Sequence, residues 1–176
     1  MIERLAEHDG VECDDEARRR LDEIGREAAW LSELVSMVLG ERSARQVTML
    51  DLGDVARSAT ELVVAGTTCR ITVECSSQAR VQGCRSELVR GLVCLLDNAV
   101  RAAGPGGHVQ VQVGGDATSG WVSVVDDGPG LGGLTAQHSL GLAIVRAILA
   151  DHGGRLELHD HRGGGARAVM HMPMPE

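Results

Sequence analysis

The spacing of apolar residues changes once along this chain, near Val47, and the two patterns on either side cannot belong to one kind of fold. Before the change, Leu21, Ile24, Ala28, Leu31, Val35 and Val38 recur at alternating three- and four-residue intervals among Asp, Arg and Glu, which is the spacing of a helical seam. Met1, Ile2, Leu5 and Ala6 add one or two helical turns that stop at Asp9-Gly10, so residues 1–45 read as a lopsided helical hairpin. Its short first arm leaves much of the second helix uncovered. That predicts burial of residues 14–40 against a partner chain, most simply a second copy.

Residues 46–176 follow a different rule. Val47 to Leu50 predicts a short strand, and Asp51 is placed to cap a helix running to about Val64. Arg70 to Glu74 and Arg80 to Gln82 read as strands, and Ser86 opens a helix that Gly104-Pro105-Gly106-Gly107 halts after Ala103. His108 to Val113 and Trp121 to Asp126 alternate as strands around a Gly114-Gly115-Asp116 turn. A helix over about 140–150 and strands near Arg155 to His159 and Ala166 to Met172 complete the pattern. Strands and helices mixed without strict βαβ alternation predict an α/β fold of the α+β type, a two-layer sandwich with about three helices on one face of a mixed sheet.

Composition narrows the function classes. A net charge of −8 opposes phosphate-backbone binding, which works through clustered positive charge, so nucleic acid is not an expected partner. No apolar run approaches the ~20 residues of a membrane span, and the acidic N-terminus is unlike a secretory signal, which places the expected location in the cytoplasm. All 17 basic residues are Arg, so any side-chain cation that meets a phosphate is a planar guanidinium or a protonated His. Five cysteines without a Cys-x-x-Cys pair fit reduced thiols. His159 and His161 flank Asp160, but with no third and fourth ligand placed they read as a polar turn rather than a metal site.

Three stretches carry candidate chemistry. Asn98 lies on the helix from Ser86, on a stripe with Arg90, Cys94 and Arg101 that is distinct from the apolar one, and its amide oxygen is a hard ligand suited to Mg²⁺. Asp126 ends a strand at Asp126-Asp127-Gly128-Pro129-Gly130, where an ionised carboxylate can accept from the exocyclic amine of adenine. Gly141 is expected to start a helix whose free N–H groups face phosphates. The run Gly128-x-Gly130-x-x-Gly133 also matches a dinucleotide-binding fingerprint, but that motif should open its helix at once, and Leu134 to His138 intervene.

Together these stretches resemble the N, G1 and G2 boxes of the GHKL (Bergerat-fold) ATPase superfamily, and most closely the ATP-binding domain (HATPase) of bacterial sensor histidine kinases of two-component phosphorelays. The likeness runs from about Val47 to Pro173, including Gly163-Gly164-Gly165 to Met172-Pro173, and Leu142-Ala143-Ile144-Val145-Arg146 is its most specific piece. The resemblance implies an ATP-dependent protein histidine kinase with ATP and Mg²⁺ as cofactors. Asn98 would hold Mg²⁺, Arg101 would meet phosphates, Asp126 would bind adenine, Ala102 would form an aliphatic wall, Gly128 and Gly130 would shape the pocket, and Leu140, Gly141 and Leu142 would line the phosphate side. It also implies a response regulator as partner, a dimer through residues 14–40, and a parent protein that can be membrane-anchored.

The chain departs from the family in four places. Cys94 stands where these kinases usually carry another Asn, and a thiol replaces neither a hard metal ligand nor a carboxylate base. Ser139 replaces a glycine, about eight residues separate G1 from G2, and the phosphoacceptor His with its surrounding box is absent. His8, beside Asp9-Gly10, reads as a helix-end histidine. The expectation is a truncated hairpin, or a kinase acting on a histidine outside this chain. Alternatives are a nucleotide-sensing pseudokinase and a serine kinase of the anti-sigma type.

Overall fold

The computed structural model describes residues 46–133 and 136–175, which lie within the second of two units of the chain, Arg45–Glu176. The hairpin expected over 1–45, with its 14–40 dimer seam and His8, falls outside the described residues.

The described elements are β1 (Val47–Asp51), α1 (Leu52–Val64), β2 (Arg70–Cys75), β3 (Arg80–Cys84), α2 (Arg85–Ala103), β4 (His108–Gly115), β5 (Ser119–Asp126), a 3₁₀ turn (Leu131–Gly133), α3 (Ala136–Asp151), β6 (Arg155–Asp160) and β7 (Ala166–Pro173). β1 and β3 form an antiparallel pair, and the other strands form a five-stranded sheet in the order β2-β4-β5-β7-β6. Only the β2–β4 pair of that sheet is parallel, so it is mixed, as expected. Val109, Val111, Val113, Val122 and Val124 point from the sheet into the helix layer, where they meet Leu88, Leu92, Leu95, Leu96 and Ala99 of α2. Burying each of these leucines contributes about 2 kcal/mol of transfer free energy. That stripe makes α2 the central helix.

Local chemistry accounts for most boundaries. Asp51 caps α1, its carboxylate accepting from the Gly53 N–H at 2.7 Å. Gly104 ends α2 with φ +72°, a backbone region in which a side chain is strained.

Two boundaries differ from expectation. The β4–β5 turn does not begin at Gly114: both Gly114 and Gly115 lie in β4, because the indole of Trp121 on β5 lies against Gly114, where a Cβ would overlap it. Asp116 closes the hairpin instead, accepting from the N–H groups of Thr118 and Ser119 at 2.8 and 2.9 Å. The last helix starts at Ala136 rather than near 140, so Gly141 sits in its second turn. Ala136 to Leu140 contain no residue that breaks a helix, and the helix simply continues back to the loop. This early start removes the spacing objection to the dinucleotide fingerprint. Strand order supplies a better one, since β7 separates β5 from β6 and leaves no adjacent parallel pair at the motif.

α2 and α3 run antiparallel. Gly141 approaches Asn98, Gly91 approaches Ile148, and past the end of α3 the His152 ring reaches the start of α2. The Cys84 N–H can only donate, so His152 Nε2 accepts from it at 3.0 Å and Nδ1 carries the hydrogen facing the Ile148 carbonyl at 2.7 Å. The ring, with its side chain 4% exposed, joins the two helices at the end away from Asn98.

Candidate functional site

Asp126 stands at the C-terminal end of β5, between the sheet and α2, with 7% of its surface exposed. One oxygen, Oδ1, accepts from the Gly128 N–H at 2.9 Å and from the Ala166 N–H of β7 at 3.2 Å. Among the described residues Oδ2 accepts nothing. The carboxylate is thus oriented through one oxygen while the other remains available to a donor from outside. Beneath it runs Gly165, φ +84°, so close that a Cβ there would overlap the Asp126 carbonyl oxygen. Asp127 faces the other way and ties the turn to β4 by accepting from the His108 N–H at 3.0 Å.

The glycines of the turn have separate reasons. Gly128 lies against the end of α2, where a Cβ would stand 2.5 Å from the Ala102 carbonyl oxygen. Gly130 has φ +82° and rests against the Asp160 carboxylate. The structure therefore brings Ala102, Asp126, Gly128 and Gly130 together.

Asn98 and Gly141 form the other end. A Cβ on Gly141 would stand 3.4 Å from Asn98 Nδ2, and that nitrogen is buried without a hydrogen-bond partner among the described residues. A buried amide group left unpaired costs about 1–3 kcal/mol, so its position marks a place where a ligand would satisfy it. An amide oxygen and nitrogen in this setting are chemically suited to a hydrated Mg²⁺ and to phosphate oxygens respectively.

Other expected residues are placed differently. Gly141 does not open a helix, and its conformational role passes to close approach. Arg101 is ion-paired with Asp97 one turn earlier, both about half exposed, so its guanidinium is engaged by its own helix. Leu142 is 7% exposed and belongs to the hydrophobic core. Cys94 also packs against that core. Gly165, Ala166 and Asp160 contribute to the site, yet only the glycine turn had a signal in the sequence. Ala166 acts through its backbone, which side-chain chemistry cannot announce.

Residues 83–176, more than half of the chain, match the family described as histidine kinase-, DNA gyrase B-, and HSP90-like ATPase. The chain belongs to this ATPase family. Within it, the signal transduction histidine-protein kinase/phosphatase MprB of Mycobacterium tuberculosis is 33% identical over 104 residues, covering 49% of this chain and 21% of MprB. The sensor histidine kinase ZraS of Escherichia coli O157:H7 is 26% identical over 161 residues, 82% of this chain and 35% of ZraS. The chain thus spans about a fifth to a third of these relatives. Among solved structures, a mycobacterial sensor histidine kinase MprB has TM-score 0.65 at 25% identity, over 74% of this chain and all of that one. Histidine kinase ThkA, solved in complex with the response regulator protein TrrA, shares the fold with TM-score 0.75 at 20% identity, over 96% of this chain and 53% of that one.

Proposed function

We propose that this chain is the ATP-binding catalytic module of a two-component sensor histidine kinase, which binds Mg-ATP and passes the γ-phosphate to a histidine supplied from outside residues 46–176. The observation that carries the reading is the buried Asp126 carboxylate, held through Oδ1 by two backbone donors and presenting Oδ2. In that role Oδ2 accepts from the adenine amine, and Ala102 with the Gly128 turn forms the adjoining wall. Asn98 holds Mg²⁺ through its amide oxygen, and the metal supplies charge neutralisation across the phosphates. The first four N–H groups of α3 lack partners within the helix and are the backbone donors for phosphate. Arg101 can join them only by leaving Asp97.

Partners and location extend the same reading. ThkA is held with a response regulator, and a response regulator is the partner we assign to this chain downstream of the histidine, with a second copy as its dimer partner through residues 14–40. The described helices include none long and apolar enough to cross a membrane. A cytoplasmic catalytic module fits a parent kinase whether or not that parent is anchored.

Titration with a fluorescent ATP analogue, with and without Mg²⁺, tests the reading. Wild-type protein should bind more tightly with Mg²⁺, and Asp126→Asn should lose about a hundredfold in affinity, since its amide presents a donor where an acceptor is needed. Phosphate transfer to a supplied histidine hairpin would then separate a kinase from a nucleotide sensor. Equal binding by wild type and variant would remove Asp126 from the site and overturn the assignment.

A further inference from the structure

The turn from Asp126 to Leu131 is held at both ends by one pair of cross-strand residues. Asp160 at the end of β6 lies opposite Ala166 at the start of β7. The Ala166 N–H donates to Asp126 Oδ1 at the start of the turn. Asp160 Oδ1 accepts from the Leu131 N–H at its far end, at 2.8 Å. Gly130 rests between the two holds: a Cβ there would stand 2.8 Å from Asp160 Oδ1 and 3.3 Å from the Gly165 carbonyl oxygen. Asp160 also stands where the chain leaves the turn for the 3₁₀ residues Leu131–Gly133 and then α3. A single acceptor therefore fixes both the far side of the turn and the departure point of the segment leading to the phosphate end.

We infer that Asp160 is a positioning residue for the nucleotide pocket, holding the Gly128–Leu131 backbone in place beside Asp126 through the Leu131 N–H. The inference rests on the nucleotide-binding reading of the site. Asp160 does not touch the nucleotide. It sets where the turn stands when Asp126 meets the base, and the property that matters is its acceptor oxygen, since the donor it serves is a neutral backbone N–H. Removing that acceptor frees the Leu131 end of the turn while Asp126 keeps its bonds to Gly128 and Ala166.

Three proteins test this: wild type, Asp160→Ala and Asp160→Asn, each assayed for hydrogen exchange at the Leu131 amide and for affinity towards a fluorescent ATP analogue with Mg²⁺. Loss of one hydrogen bond corresponds to about a three- to tenfold change. Asp160→Ala should lose that much Leu131 protection and that much affinity, and Asp160→Asn, which keeps an acceptor oxygen, should stay within about twofold of wild type in both. Unchanged affinity in Asp160→Ala overturns the positioning role. So does an Asp160→Asn variant as weak as the alanine, which would make the carboxylate's charge the active property. Should wild type itself fail to bind, the nucleotide reading falls and takes the positioning role with it. The Leu131 exchange rate would still report separately whether Asp160 holds the turn.

Discussion

The two ends of the site are built on opposite principles. At the Asp126 end the backbone is over-determined: Oδ1 takes two N–H groups, Asp160 takes a third from Leu131, and Gly165 lies in van der Waals contact below. At the Asn98 end the side chain carries a buried nitrogen without a partner among the described residues, and the facing residue, Gly141, offers no side chain at all. A rigid end suits recognition of a flat base by a single hydrogen-bond pattern, because an acceptor fixed in advance loses little freedom on binding. An under-satisfied end suits a hydrated cation and phosphates, whose oxygens supply the missing partners. The difference teaches that backbone order and unsatisfied polar chemistry are concentrated at different ends of one candidate site.

Changes at the rigid end should break the fold or the recognition. The largest effect belongs to Gly165→Ala, whose Cβ would overlap the Asp126 carbonyl oxygen from a backbone at φ +84°. It should cost at least about 3 kcal/mol, measured by urea denaturation. A cost below about 1 kcal/mol would show that the hairpin and the turn are not locked together. Next, Asp126→Asn should separate function from stability. Its amide oxygen can still accept from Gly128 and Ala166, so the unfolding free energy measured in urea should change by less than about 1 kcal/mol while nucleotide affinity collapses. Equal losses in both would mean that the carboxylate serves the fold rather than the ligand.

A substitution at the loose end should have the opposite sign. Gly141 lies inside α3, and Gly-to-Ala in a helix interior stabilises by about 0.5–1 kcal/mol. Its new methyl would stand 3.4 Å from Asn98 Nδ2, an ordinary contact that fills the space a ligand would use. Gly141→Ala is therefore expected to raise stability in denaturant and weaken Mg-nucleotide binding. A destabilised variant would indicate a helix that begins at Gly141, where the residue's freedom has a different use.

A third region gives the smallest effect and serves as a control for both ends. Asp116 closes the β4–β5 hairpin away from the site, and the Thr118 N–H, followed by that of Ser119, holds its carboxyl below the ordinary value of 3.8. A lowered native value means stability that is present above the unfolded value and lost as pH falls through the native one. Asp116→Asn should flatten the acid limb of the stability profile below about pH 4 and leave nucleotide binding at neutral pH untouched. An unchanged acid limb would remove the hairpin carboxylate from the balance.

Much of this arrangement was legible beforehand, for reasons that lie within a few residues of chain. Asp51 before an apolar run, alternation through His108 to Val113 and again through Trp121 to Asp126, and the glycines after Ala103 each state a local preference, and the elements formed where those preferences put them. The main misreading fell where a contact across the sheet decided. The β4–β5 turn slid from Gly114 to Asp116 because Trp121 needs the space over Gly114.

By itself the sequence determined an α/β sandwich with Asp126 at the end of a strand, Asn98 on the central helix and a glycine turn between them. These follow from the period of the apolar residues and from the few residue types that cap, break or bend a backbone. Only the tertiary structure decided that Ala166, forty residues further along, donates to Asp126, that Asp160 receives Leu131, and that Gly141 clears a space for Asn98 instead of starting a helix. The reason is physical: a hydrogen bond depends on where strand register and helix packing bring two groups. In this sheet β2 meets β4 only after a connection that passes through α2, and β5 meets β7 only after one that passes through α3.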